Sequence, residues 1–218
     1  MAKTLLALVA VLAAVLGGLP AAAQPMAAAS GDLSARLKDL EGNPRLLESA
    51  AKAGGKLASF CANCHGDGGN SLKPDVPNLA GQNAHYLLEA MRQYMDGRRK
   101  NSEFKQRLMK VLSADERINL IVFYSAQSVA YKPPANDEMF KRGRQLYAEN
   151  CAECHEPDGR GTHKYARVAG QQPVYLSQSL RSYRDGAKSR LNRQMAINVE
   201  GMSDTDVAAL VAYMSSMK

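Results

Sequence analysis

The 218-residue sequence contains no tryptophan, only four cysteines and four histidines, and 6% aromatic residues. Four cysteines in a chain this long are too few for a disulfide scaffold. After the N-terminal stretch no apolar run is long enough to span a bilayer. With 45% hydrophobic and 22% charged residues, the composition is not that of a disordered, collagenous or multi-span membrane protein. The charge is one-sided but moderate, 28 Lys and Arg against 21 Asp and Glu, a formal +7. The length suits one large domain or two small ones.

The start of the chain reads MAKTLLALVAVLAAVLGGLPAAA over residues 1–23. One positive charge, Lys3, precedes an apolar run from Leu5 to Leu19, followed by Pro20 and the small residues Ala21, Ala22 and Ala23. That is the layout of a cleavable secretory signal peptide, with the mature chain starting near Gln24. The rival is a retained anchor. The run falls short of the ~20 apolar residues a span requires, and Gly17, Gly18 and Pro20 weaken its helix. Loss of Lys3 leaves 27 basic against 21 acidic residues, or +6.

The cysteines fall as two copies of one pattern, Cys61-Ala-Asn-Cys64-His65 and Cys151-Ala-Glu-Cys154-His155. A bare C-x-x-C suggests a redox dithiol or half a zinc site. With His as the next residue it reads as c-type haem attachment. Two thiols bracketing a short turn form thioethers to the two haem vinyl groups, and the adjacent imidazole lies under the iron. A dithiol or zinc reading requires the histidine to follow by accident twice. Two covalently attached haem c groups are therefore expected.

The repeat extends well beyond the cysteines. At an offset of 89 or 90, Gly81-Gln82 matches Gly170-Gln171, Tyr86 matches Tyr175, Tyr94 matches Tyr183 and Asp96-Gly97 matches Asp185-Gly186. Leu112-Ser113 matches Met202-Ser203, and Tyr124 is aligned with Tyr213. Such periodicity indicates two copies of one fold. The reading places an N-terminal extension at 24–42, a first module at 43–127, a linker at 128–137 stiffened by Pro133-Pro134, and a second module at 138–218.

Each module reads as helical. Asn43-Pro44 has the form of a cap and first-turn proline opening a helix to Phe60. Helices are also expected over Glu138–Asn150, Ala84–Met95 and Val174–Tyr183, and after Ser113 and Ser203, the former opening with a capping-box pattern. Modules of ~80–90 residues bury little core of their own. A covalently held haem supplies the missing apolar mass, with leucines and tyrosines around it.

These features resemble the dihaem cytochrome c4 family. The resemblance rests on the doubled CxxCH, the Gly-rich loop after each, the segments Ala80-Gly81-Gln82 to Tyr86-Leu87 and Ala169-Gly170-Gln171 to Tyr175-Leu176, and the Asp-Gly helix ends. It covers about residues 45–217. It implies an all-α protein of two tandem class I cytochrome c domains, each wrapped around one covalent haem. The domains are related by a pseudo-twofold axis, the irons are ligated by His and Met, and electrons are carried in the periplasm. Cys61, Cys64, Cys151 and Cys154 are then the attachment points, and His65 and His155 the proximal ligands.

The distal ligands follow the family pattern in one module only. Met195, eight residues before Ser203, stands at the family's ligand position. Eight residues before Ser113 stands Lys105, while Met109 is one helical turn later. Lysine binds iron only when deprotonated, a state that burial favours. Met109, Lys105 and an open iron remain the alternatives. His85 and His163 read as surface or propionate-contacting residues. The resemblance also implies that the Pro77 carbonyl accepts the Nδ1–H of His65, and it puts Ala166 in that slot in the second module.

The expected function is electron transfer between redox partner proteins, with no acid–base machinery of its own. The alternative is a dihaem redox enzyme, or the electron-accepting subunit of a dehydrogenase such as one oxidising thiosulfate, with an unusual ligand at the first haem. A third class, nucleic-acid binding, draws only on basic stretches such as Arg98-Arg99-Lys100 and Arg181, Arg184, Lys188, Arg190 and Arg193. These lack a DNA-binding motif. They read as solvated surface or as docking sites for partners with acidic surfaces, a membrane-bound oxidase or a dehydrogenase among them.

Overall fold

A computed structural model of the chain describes residues 32–133, 137–187 and 192–218. The expected leader, with Lys188 and Arg190, lies outside the described residues. All regular structure among the described residues is helical. The first half contains α1 (Leu33–Glu41), α2 (Pro44–His65), α3 (Ala84–Met95), α4 (Glu103–Val111) and α5 (Ala114–Ser125). The second contains α6 (Asp137–Asn150), α7 (Ala152–His155), α8 (Pro173–Arg184), α9 (Arg193–Val199) and α10 (Asp204–Ser215).

Local chemistry accounts for most helix ends. The Asn43 side chain accepts the Leu46 N–H with Pro44 in the first turn, so α2 starts where the sequence indicates. It runs past Phe60 to His65 and stops at Gly66, whose φ of 73° takes the chain out of the helix. The segment read as an extension carries α1, which buries Leu37 completely in the first core and ties Asp32 to Arg92 at 2.9 Å.

Two long helix pairs organise the modules, α2 against α5 and α6 against α10. Each pair closes at a glycine. A methyl group on Gly54 would run into the Asn119 carbonyl, and one on Gly143 into that of Ala209. These contacts set the register of the repeat. Asn119 and Ala209 are 90 apart, as are the carbonyls of Tyr124 and Met214 that accept from Gly81 and Gly170. The structural counterpart of Tyr124 is therefore Met214, not Tyr213. The cause is one extra residue in the second module between Asp185 and Ser203. The cores compensate: Tyr124 packs in the same cluster as Ala58, whereas Met214 packs with Tyr147, the residue matching Ala58.

The second module also has one extra residue between Gly143 and Cys151. In a continuous helix that residue would turn the CxxC by about 100° away from the core. The helix instead breaks at Cys151, which caps α7 with φ −124° and ψ −34°.

The last helix of each module opens with a capping box, Ser113 with Glu116 and Ser203 with Asp206. Asp206 also holds Arg142 of α6 at 2.6 Å, and its bonds to Ser203 and then Arg142 bring its carboxyl down to about 2. A carboxylate lowered by folding contributes stability above its unfolded value, near 3.8, and loses it as pH falls through about 2. Asp206→Ala is expected to cost about 1 kcal/mol at neutral pH. It should also flatten the acid limb of stability between these values, as denaturant titrations at several pH values would show.

The modules face each other through a polar, buried seam. Gln171 exchanges two hydrogen bonds with the Asn78 backbone, at 2.6 and 3.0 Å. Gln82 does the same with the Arg167 backbone, at 2.7 and 2.9 Å. Asn78 and Arg167 are themselves 89 apart, so the contacts are reciprocal, the mark of a twofold relation. Val129 of the linker packs over both Gly81 and Gly170, whose left-handed φ values of 61° and 69° leave no room for a side chain.

Candidate functional site

The first CxxCH forms the last turn of α2, and the second forms the cap and the four residues of α7. No disulfide joins the four cysteines. Burial, and then the neighbouring Cys154, push the Cys151 thiol up to about 12, and burial also raises Cys61. Both thiols are therefore neutral. The buried Tyr124 hydroxyl sits beside Cys61 without an oxygen or nitrogen partner among the described residues.

The two imidazoles are oriented alike. His65 Nδ1 lies 2.9 Å from the Pro77 carbonyl, and His155 Nδ1 lies 2.8 Å from that of Ala166. A carbonyl only accepts, so Nδ1 carries the proton and Nε2 is the ring nitrogen left to ligate. Burial lowers both histidines below their usual value, which keeps them neutral; at His65 the Lys105 charge acts in the same direction. The loss of proline at Ala166 leaves this hydrogen bond intact.

One continuous cavity of about 450 Å³ reaches both motifs and is walled mainly by apolar side chains. Lys105, Met109 and Met195 all line it. Lys105 and Met195 occupy equivalent places. Each is the third residue of a short helix, and its N–H is taken by the N-cap side chain, Ser102 at 3.2 Å and Asn192 at 3.1 Å. Met109 corresponds to Val199, a core residue 1% exposed. The Lys105 ammonium lies 5.7 Å from the Tyr94 ring centroid, inside the cavity wall.

The mouths of the two halves differ. Phe60 and Phe104, both exposed, pair at 6.5 Å beside Cys61 and Lys105. Their counterparts are Asn150 and Gln194, which line a polar groove of about 330 Å³ with Glu149 and Glu153.

His85 and His163 come together at 6.3 Å across the seam but do not line the main cavity. His85 faces Glu41 instead, at 3.4 Å. The basic stretches are less solvated than their composition suggests. Arg99 is buried, 7% exposed, stacks on Tyr94 and donates to the Tyr175 hydroxyl at 2.9 Å. Arg98 pairs with Asp96 and Glu89, while Arg181 and Arg184 share Asp204. No single-element pattern marked Arg99, because its partners belong to other parts of the chain.

The donor set fits covalently attached haem twice over: a CxxC thiol pair, an imidazole with only Nε2 free, and an apolar cavity. The cytochrome c family pattern matches residues 51–123 and 140–218. The chain is a tandem c-type cytochrome whose two modules carry covalent haem c. The cytochrome c4 of Pseudomonas aeruginosa is 32% identical over 179 residues, covering 77% of this chain and 88% of that one. The crystal structure of reduced cytochrome c4 from Pseudomonas stutzeri superposes with a TM-score of 0.70 at 26% identity, covering 77% and 98%. A thiosulfate dehydrogenase electron acceptor from Thiomonas intermedia is 28% identical over 144 residues, covering 61% of this chain and 66% of that one. The protein belongs to the dihaem cytochrome c4 family, a group of c-type electron carriers. No helix among the described residues is long and apolar enough to cross a membrane.

Proposed function

We propose that the protein is a periplasmic shuttle passing single electrons between redox partners. Cys61 and Cys64 anchor one haem, and Cys151 and Cys154 the other. His65 and His155 are the proximal ligands through Nε2. Met195 is the distal ligand in the second module and Lys105 in the first, with Met109 behind it in the same cavity wall. Haem iron held in this way supplies one-electron chemistry. The observation that carries the reading is the pair of imidazoles tied at Nδ1 to backbone carbonyls, each following a CxxC pair that lines a shared cavity.

The exposed Phe60–Phe104 lip, with Lys105 next to Phe104 on α4 and Lys56 one turn before Phe60 on α2, gives the first module an apolar face flanked by lysines, suited to a partner with an acidic surface. The similarity to the Thiomonas intermedia electron acceptor favours a dehydrogenase as the donor class. Ferricyanide serves as an anionic stand-in for the partner. Its electron exchange with the reduced protein is expected to slow several-fold as salt shrinks the Debye length from about 30 to about 8 Å. Optical and EPR spectra should show two six-coordinate, low-spin haems unaffected by cyanide. A five-coordinate first haem that binds cyanide would overturn the carrier reading in favour of a redox enzyme.

A further inference from the structure

The two glutamines of the seam meet the same peptide groups that orient the histidines. The Pro77–Asn78 peptide accepts the His65 Nδ1–H on its carbonyl at 2.9 Å. It donates its own N–H to Gln171 Oε1, in the other module, at 2.6 Å. The Ala166–Arg167 peptide accepts from His155 at 2.8 Å and donates to Gln82 Oε1 at 2.7 Å. Both glutamines are buried, at 5% and 8% exposure, and both line the main cavity.

We propose that each glutamine tunes the haem of the opposite module: Gln171 sets the donor strength of His65, and Gln82 that of His155. The inference rests on the reading of these histidines as proximal ligands. An acceptor on a peptide N–H pushes electron density onto the carbonyl oxygen of that peptide. The carbonyl then draws more strongly on the Nδ1–H, and the imidazole becomes a stronger donor through Nε2. Stronger donation favours the ferric state and lowers the potential. Burial leaves this polarisation unscreened by water. A neutral amide serves the role without placing a charge in the seam. Its NH₂ returns to the carbonyl on the far side of the peptide's second residue, at 3.0 Å for Asn78 and 2.9 Å for Arg167, which holds the oxygen in line.

The test is an NMR redox titration of the full-length holoprotein, with each haem's methyl resonances assigned through contacts to side chains of its own module. Gln171→Leu is expected to raise the midpoint of the first-module haem by a few-fold in its redox equilibrium, where tenfold is about 59 mV for one electron. The second-module midpoint should stay in place. Gln82→Leu should do the reverse. Gln171→Glu keeps an oxygen for the Asn78 N–H and is expected to lower the first-module midpoint, so crossed control is readable even if leucine loosens the seam. A shift in the same module, an equal shift in both, or no shift would overturn the proposal. Absence of hyperfine-shifted His65 ring protons would instead overturn the ligand assignment beneath it.

Discussion

Replacement of Lys105 by methionine is expected to raise the first haem's midpoint by on the order of 0.1 V or more, within the ~0.8 V that axial ligands span. An amine is a plain electron donor and favours ferric iron, whereas a thioether stabilises the ferrous state. The oxidised wild type should show one thioether-to-iron charge-transfer band in the near infrared, from Met195, and the Lys105→Met variant should show two. Met195→Ala should remove the wild-type band and lower the second midpoint by a comparable amount. The prediction follows from the equivalence of Lys105 and Met195 as third residues of α4 and α9, each with its N–H capped by a side chain. Met109 stands where the second module has the core residue Val199. Two thioether bands in the wild type, one of them lost in Met109→Leu but kept in Lys105→Ala, would assign Met109 instead.

Alanine at Gly54 or Gly143 is expected to cost about 3 kcal/mol, the upper end for overpacking, and to disrupt its own module first. The methyl group would overlap the backbone carbonyl of Asn119 or Ala209. Backbone on a packed helix cannot rotate aside as a side chain does. The main helix pair of the module must then separate, and with it the wall that carries the CxxCH. Gly42→Ala is the matching control. That glycine has ordinary helical angles and no neighbour closer than 3.6 Å, so the substitution should be neutral or slightly stabilising. Guanidinium titrations of the holoprotein followed by haem absorbance and by far-ultraviolet dichroism would separate loss of one module from loss of both.

The legibility of the fold was uneven for identifiable reasons. Helix starts at Asn43, Ser113 and Ser203 were readable because capping is a property of neighbouring residues. The sequence pattern ends α2 at Phe60, whereas the helix runs on to His65, since no breaker stands between Phe60 and Gly66 and the CxxCH itself continues the helix. The alignment of Tyr124 with Tyr213 followed identity of residue type. The contacts of Gly54 and Gly143 shift the register by one and pair Tyr124 with Met214. Volume in the core is conserved across positions rather than at one position, and a one-dimensional alignment does not register that.

By itself the sequence determined the chemistry that depends on near neighbours: two CxxCH motifs, a repeat of 89 or 90 residues, and helix caps. For the first module it left Lys105, Met109 and an open iron as the alternatives. Only the tertiary structure decided what lies many residues away. It brought Lys105, Met109 and Met195 to the wall of one cavity, buried Arg99 against Tyr94 and Tyr175, and joined each glutamine of the seam to the peptide that holds the opposite module's histidine. The physical reason is reach. A thioether pair with its adjacent imidazole spans five residues, whereas the hydrogen bonds linking Gln171 to Asn78 and Gln82 to Arg167 exist only once two separately folded modules have met.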